Sequence, residues 1–197
     1  MLGQTKVGAR RGSGWEDANG VQVEGRFSPT AEQQRKLGIG SCWFWADGGQ
    51  YYFEMTPNPE SRVRLTDPGD CDPIFHRRKV HITWELSPRD EETYKETTQL
   101  FKTAVTARKG GVSFPPWETV KNQLVVNGHH IGTTRMSAEP EDGVVDANLK
   151  VHSLANLYVA GASVFASAGI SNPTFTIIAL SIRLAKHLTG VLGAATA

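Results

Sequence analysis

Two aromatic runs joined by a turn signal most limit the folds that this chain can adopt. Residues 42–45 read Cys-Trp-Phe-Trp and residues 51–55 read Tyr-Tyr-Phe-Glu-Met, with Asp47, Gly48 and Gly49 between them. Aromatic residues favour pleated strands, and an Asp-Gly pair between two such runs is a strong hairpin signal. We therefore predict an antiparallel hairpin, and a fold whose core is built on a sheet.

Other segments extend the predicted sheet. Residues 61–65 and 79–84 alternate polar and apolar side chains, as half-buried strands do, and residues 21–24 form a shorter alternating stretch. The first fourteen residues, rich in glycine and arginine, give no clear element. The sequence thus predicts a poorly defined segment at 1–14 and an antiparallel sheet within residues 15–126.

A helix is predicted to follow the sheet strands. Ser87 can cap its first turn and Pro88 suits the first helical position. The pair Gly110-Gly111 predicts its end. With such a helix flanking the antiparallel sheet, the expected fold class is α+β.

The last seventy residues, 127–197, have a different character. Residues 156–161 read as a short apolar strand, and Asn172-Pro173-Thr174 reads as the start of a helix. The apolar positions Phe175, Ile178, Ile182 and Leu188 fit a helical period. A strand, a loop of small residues and a helix start form the arrangement in which backbone N–H groups meet an anionic cofactor. We therefore look for chemistry at this end of the chain.

Composition excludes several function classes. The formal net charge is +1, without the long basic runs that mark nucleic-acid binding. No apolar run approaches the roughly 20 residues that span a bilayer, since residues 177–188 are interrupted by polar and charged side chains. The two cysteines have no metal-ligand spacing, and the N-terminus lacks a signal-peptide core. We expect a cytoplasmic protein with no membrane span, no nucleic-acid partner and no metal.

Two side chains are the candidates for proton and hydrogen-bond chemistry. His129 follows a glycine, and an imidazole gains and loses a proton near neutral pH. Asn172 presents both a donor and an acceptor and can hold an alcohol oxygen. Each also has an ordinary structural explanation, because single histidines mostly hydrogen-bond and Asn before Pro caps helices. His129 and His130 are no metal pair, since neighbours on a strand face opposite sides.

Several segments together resemble the C-terminal signature of the glucose–methanol–choline (GMC) oxidoreductases. Residues 129–136 read His-His-Ile-Gly-Thr-Thr-Arg-Met, residues 143–146 Gly-Val-Val-Asp, residues 156–163 Asn-Leu-Tyr-Val-Ala-Gly-Ala-Ser and residues 171–174 Ser-Asn-Pro-Thr. Residues 58–63 also resemble a segment of the family's substrate domain. The double histidine and Asn-Pro-Thr are most similar to the sugar dehydrogenase and pyranose oxidase branch.

The resemblance implies a role for each matching residue. His129 corresponds to the catalytic base that accepts the substrate's hydroxyl proton, and Asn172 to the position that holds the substrate oxygen. Gly161 and Ala162 correspond to the turn that passes close to FAD, while Pro173 and Thr174 correspond to the helix start beneath the flavin. His130 would orient its neighbours from behind. The implied activity is FAD-dependent oxidation of a CH–OH group of a sugar or other alcohol.

The family's phosphate-binding Gly-x-Gly-x-x-Gly is not found in this sequence. Residues 8–14 are glycine-rich, yet no apolar strand precedes them and no convincing helix follows. The expected architecture is therefore a substrate-domain sheet plus the C-terminal strand and helix of an incomplete, Rossmann-like FAD domain. We expect the chain alone to hold FAD weakly and to expose Ile177, Ile178 and Ile182.

Two explanations of the missing motif stay open at this stage. The chain is either a truncated reading frame or one half of a split enzyme whose partner polypeptide carries the nucleotide-binding domain. An inactive remnant or non-catalytic subunit is the alternative function. A carbohydrate-binding module using Trp43, Trp45 and Trp84 is a weaker alternative, because aromatic residues in strands more often form core.

Overall fold

The computed structural model describes residues 4–7, 15–16, 18–20, 22–23, 26–45, 51–107, 110–126 and 128–195. In these ranges the strands are β1 (Gln4–Val7), β2 (Trp15–Glu16), β3 (Gln22–Val23), β4 (Arg26–Phe27), β5 (Cys42–Trp45), β6 (Tyr51–Glu54), β7 (Val63–Leu65), β8 (Val80–Ile82) and β9 (Val125–Val126). The α-helices are α1 (Ala31–Leu37), α2 (Pro88–Thr106), α3 (Trp117–Lys121) and α4 (Thr174–Ala195), and residues Ala162–Val164 form one 3-10 turn.

The main sheet has five strands in the order β4-β5-β6-β1-β9, and each neighbouring pair is antiparallel. The predicted hairpin is confirmed, since β5 pairs with β6 and places Cys42 opposite Phe53 and Phe44 opposite Tyr51. Its predicted turn at Asp47-Gly48-Gly49 lies outside the described residues. The described structure is thus a mixed helix-and-sheet fold with antiparallel sheets.

The core lies between this sheet and helix α2. Phe44 and Phe53 are fully buried, and the Phe44 ring stacks on Phe101 of α2 at a centroid distance of 5.2 Å. Tyr51 meets Tyr94 edge to face at 5.3 Å. Aromatic pairs at these distances add to the stabilisation that burial alone provides. The alternating aromatic runs therefore put one set of rings into a single dense core.

Helix α2 begins where its cap residues predict and ends earlier than its glycines predict. Ser87 and Asp90 form a reciprocal capping box, and the fully buried Asp90 also accepts a hydrogen bond of 2.7 Å from the backbone of Thr56. The last helical residue is Thr106, so the predicted end at Gly110-Gly111 is displaced. Asp90 fastens the chain that follows β6 to the start of the helix.

Strands β7 and β8 form a separate two-stranded hairpin. Arg64 lies opposite His81, and Arg62 and Thr83 extend the ladder with two further backbone hydrogen bonds of 3.0 and 2.9 Å. At the tip, the Asp72 carboxylate accepts hydrogen bonds from the backbone of Ile74, Phe75 and Arg77. These bonds lower the pKa of Asp72.

A second, smaller core gathers the C-terminal residues. Its buried members are Val145, Leu149, Val151, Val164 and Leu184. The strand predicted at 156–161 is wrong: the segment forms one isolated bridge and single backbone hydrogen bonds to residues 149 and 151. Residues 144–152 are a succession of turns and bridges, so they offer no continuous edge for a strand to pair with. The proposed incomplete Rossmann-like domain stays a prediction.

Helix α4 is confirmed and carries apolar residues on two sides. Leu180, Leu184 and Leu188 pack in the small core. By contrast Ile178 and Ile182 are 53% and 52% exposed, in agreement with the exposure expected from the sequence. Ile177 is half-buried rather than exposed.

Helix α4 also bears on the expectation that the chain has no membrane-length segment. Within the described residues, Thr174–Gly193 has the length and the apolar composition that a crossing needs, with a mean hydropathy of 1.4. The expectation that no apolar segment approaches this length is therefore wrong, whereas the absence of a membrane span stays a prediction. Length and composition are all that this criterion establishes, since core helices and signal sequences satisfy it as well.

Candidate active site

The segment that begins at the predicted catalytic histidine is joined to the predicted cofactor turn. His129 is half-buried and His130 is exposed. Three residues later the backbone of Gly132 donates to the carbonyl of Ala162 at 3.3 Å. Three residues of the turn therefore accept backbone hydrogen bonds in succession: Ala162 from Gly132, Ser163 from Thr134 at 2.9 Å, and Val164 from Met136 at 2.8 Å. The two predicted site segments form one ladder.

The cofactor turn has an open backbone. Gly161 has a φ of 113°, a conformation that side chains rarely adopt. A Cβ built on it would meet no described heavy atom, outside its chain neighbours, within 4 Å. The space in front of Gly161 is therefore not filled by the described part of the chain. A flat ring system could approach the backbone of Gly161 and Ala162 closely.

The start of helix α4 carries the other predicted site residues. Asn172 and Thr174 are exposed and Pro173 is half-buried. The first intrahelical bond runs from Ile177 to the carbonyl of Pro173 at 3.0 Å. In the described structure the N–H groups of Thr174, Phe175 and Thr176 have no acceptor, so the helix presents a partial positive charge there. This end suits a cofactor atom that gains negative charge.

Trp43 connects the main sheet to the loop before Asn172. Its indole N–H donates to the carbonyl of Ile170 at 3.4 Å. Tyr52 stacks on the indole at 4.1 Å, while the Arg26 guanidinium lies 4.4 Å from the ring centroid. Trp43 is only 7% exposed. A carbohydrate-binding role for Trp43 is unfavourable, because a buried indole offers no ring face to a sugar.

A cleft lies between the chain after β6 and the segment that follows His129. Its volume is about 460 Å³, within the range of small-molecule sites. One wall is Pro57, Asn58 and Pro59, and the other consists of Gly132, Arg135, Met136, Ser137, Asp142 and Ala166. Arg135 belongs to the family-like motif at residues 129–136, but the sequence pattern alone assigns it no role. Its position in this cleft depends on chain crossings that local patterns do not reveal.

Two hydrogen-bonded connections hold the segments of the candidate site in the described structure. Hydrogen bonds bring Gly132 to Ala162 and Trp43 to Ile170, two residues before Asn172. That His129 and Asn172 share one substrate stays a prediction. In the described part of the chain, no group of three or more His, Cys, Asp or Glu residues is arranged to hold a metal ion.

Comparison with known families decides the family of this chain. The family model described as "GMC oxidoreductase", in its C-terminal form, matches residues 57–181, more than half of the chain. The chain belongs to the GMC oxidoreductase family. The resemblance seen in residues 129–174 is thereby confirmed at the level of the family.

Curated relatives of this GMC chain include enzymes named for sugars. The fructose dehydrogenase large subunit of Gluconobacter japonicus is 33% identical over 137 residues, which are 68% of this chain and 24% of the relative. Pyranose 2-oxidase of Tricholoma matsutake is 28% identical over 144 residues, 70% of this chain and 23% of that enzyme. The GMC chain therefore spans about a quarter of the length of these relatives.

Among solved structures, pyridoxine 4-oxidase from Mesorbium loti matches this GMC chain with a TM-score of 0.48 and 22% identity. The match covers 72% of this chain and 30% of that structure.

Proposed function

We propose that this GMC chain supplies the catalytic end of an FAD-dependent oxidoreductase that converts a CH–OH group of a sugar or other alcohol to a carbonyl. The observation that supports this most is the ladder between residues 132–136 and 162–164, because it joins the histidine segment to the open turn at Gly161. The sugar-directed names of the relatives support the substrate class.

The residues near the turn fit a flavin. Gly161 leaves its backbone uncovered, and Ala162 adds only a methyl group. Pro173 and Thr174 open a helix whose free N–H groups favour negative charge. We assign these four residues to FAD contact. When bound, FAD supplies the acceptor for the hydride that leaves the alcohol carbon.

His129 takes the hydroxyl proton of the substrate as the carbon–oxygen double bond forms. A hydride, which is one proton with two electrons, leaves the carbon, and the hydroxyl hydrogen leaves the oxygen as a proton that the imidazole holds. Asn172 donates its amide N–H to that oxygen and so fixes the carbon in place. His130, which is exposed, helps to orient the His129 segment without contacting the substrate itself. A positioned base of this kind contributes about 10²- to 10⁴-fold to the rate.

The remaining FAD contacts belong to a nucleotide-binding unit, carried in the same polypeptide or in a partner. The outward face of helix α4 supports this, because Phe175, Ile178 and Ile182 are 83%, 53% and 52% exposed in the described structure. Apolar surface of this kind on a helix normally packs against another part of the protein. We propose that this unit covers it.

The test is dye reduction by the complete flavin-loaded enzyme across a panel of sugars and alcohols. We expect His129→Ala to lower kcat by about 10²- to 10⁴-fold while FAD retention, read from visible absorbance, stays the same. His76→Asn is the matched control, because His76 lies at the tip of the hairpin with a φ of 52°, which Asn tolerates. Equal turnover of the His129→Ala and control enzymes would contradict the assignment.

The alternative function is an inactive remnant or a non-catalytic subunit of a split enzyme. The same experiment separates the two. If the chain, combined with a nucleotide-binding unit, binds FAD but reduces no dye with any alcohol, the alternative holds.

A further inference from the structure

A second groove adjoins the cleft and is lined by three arginines. It has a volume of about 340 Å³. Its lining includes Arg62 and Arg64 on one side, Thr133 and Arg135 on the other, and Glu141. The groove therefore runs between the hairpin β7–β8 and the segment that follows His129. Three arginines against one glutamate give it a positive balance.

Arg62 and Arg64 are held on one face of the hairpin. They are two residues apart on an extended ladder, so their side chains leave the same side of the strand. The backbone of Arg62 both donates to and accepts from Thr83, at 2.9–3.0 Å. Arg64 is in register with His81. Arg64 also lines a neighbouring pocket with Asp67 and Asp70, and the Asp70 carboxylate is already paired with Lys79 at 2.6 Å.

Arg135 is fixed on the opposite wall. Its Nε donates to the backbone carbonyl of Asp142 at 2.5 Å, and its own carbonyl accepts from Val144 at 2.9 Å. A guanidinium tied through Nε keeps its two terminal amino groups as a pre-oriented fork. Little side-chain freedom is then lost when that fork binds an anion.

The three guanidinium groups have no carboxylate partner in the described structure. The ion pairs found there involve Lys79, Arg89, Lys95 and Lys121. Glu141 lines the groove but forms no such pair. Exposed arginines are ordinarily solvated, and that explanation suffices for each of them singly. It does not account for three that border one concave site from two separate segments.

We propose that this groove binds a phosphate group carrying two negative charges. A phosphate monoester has three terminal oxygens, one for each arginine, whereas a carboxylate has only two. Planar guanidinium forks match phosphate oxygens in paired hydrogen bonds. Thr133 adds a hydroxyl that has no partner in the described part of the chain. The proposal does not depend on the redox function.

Inorganic phosphate is the probe. Calorimetric titration of the protein in its complete native form, at fixed ionic strength set by chloride, should show saturable binding that sulfate competes away. Arg64→Gln and Arg62→Gln should each raise Kd by about tenfold or more, since each removes a charged hydrogen-bonding partner. Arg77→Gln is the control, because Arg77 lies on the same hairpin outside the groove lining.

The outcomes divide cleanly. Weakened binding in both groove variants with unchanged binding in the Arg77 variant supports the site. Equal affinity in all three variants, or no saturable signal beyond the effect of ionic strength, overturns it. A hexose phosphate and adenosine monophosphate, titrated in parallel, identify the source: tighter binding of one than of inorganic phosphate names the molecule that carries the group. Dye reduction is not needed for any of these readouts.

Discussion

The region formed by the main sheet and helix α2 buries its apolar residues in a different way from the C-terminal segment. The first packs aromatic rings from strands and helix into one core, with Phe44 and Phe53 fully buried. The second has a small aliphatic core and leaves a face of helix α4 exposed. The region with the predicted catalytic residues therefore buries its own apolar surface less completely than the region of the main sheet does.

The largest expected effect is on the core of the sheet. Phe44→Ala removes a ring that contacts several others and should lower the free energy of unfolding by about 3–5 kcal/mol. In the chain by itself, Phe175→Ala is the matched variant, because Phe175 is 83% exposed there, and it should change that energy by no more than about 0.5 kcal/mol. Urea titration followed by circular dichroism measures both. Comparable losses would erase the contrast between the regions.

A second variant addresses the hydrogen bond that connects the two regions. Trp43→Phe keeps an aromatic ring between Tyr52 and Arg26 but removes the N–H that reaches Ile170. We expect a loss of about 0.5–1.5 kcal/mol and faster hydrogen exchange in residues 167–171. In the complete enzyme, kcat should fall while KM changes little, since Asn172 follows this loop. Unchanged exchange in the loop would show that the bond does not hold it.

Two glycines without crowding neighbours isolate the effect of backbone strain on stability. A Cβ on either Gly161 or Gly190 meets nothing within 4 Å, yet only Gly161 has a positive φ. Gly161→Ala should therefore cost about 1–3 kcal/mol, whereas Gly190→Ala, within helix α4, should gain about 0.5–1 kcal/mol. Thermal unfolding of both variants checks the opposite signs. A Gly161→Ala variant as stable as the parent protein would mean that Gly161 is not strained.

The smallest effect is chemical. Burial raises the pKa of the Cys42 thiol to about 11, and the hydrogen bonds that the thiol shares with Thr97 and Tyr51 oppose the shift. At pH 8 iodoacetamide should therefore modify Cys71, which is half-buried, far faster than Cys42. Because the folded pKa is raised, the contribution of this thiol to stability is complete below pH 9 and declines as pH rises toward 11. Equal labelling by mass spectrometry would refute the burial of Cys42.

Local signals in the sequence predict strands β3, β5, β6, β7 and β8 and the starts of helices α2 and α4, but they do not predict β1, β2, β4, β9, α1 or α3. The alternating residues of β5, β6, β7 and β8 and the Ser87 cap each carry their own physical reason. The family motif in residues 129–136 predicts which chemistry to look for. These predictions succeed because hairpins and caps are decided by neighbours in the chain.

Other features depend on contacts between distant residues. The pairing of β1 with both β6 and β9, and the bond from Trp43 to Ile170, join segments that no local pattern links. The strand predicted at 156–161 fails for the same reason, since a strand needs an edge to pair with and the sequence does not say whether one is present. The arginine groove also arises only when residues 62–64 meet residue 135.

The ladder between residues 132–136 and 162–164 has a consequence for protein engineering. Two segments that are joined by successive backbone hydrogen bonds share a register. Inserting a residue in one segment therefore displaces each later hydrogen bond to the other. Residues 128–165 would then be exchanged between homologous enzymes as a single cassette. A chimaera that exchanges only the segment beginning at His129 would keep the catalytic histidine but lose the hydrogen-bond register that positions it against the turn at residues 161–164.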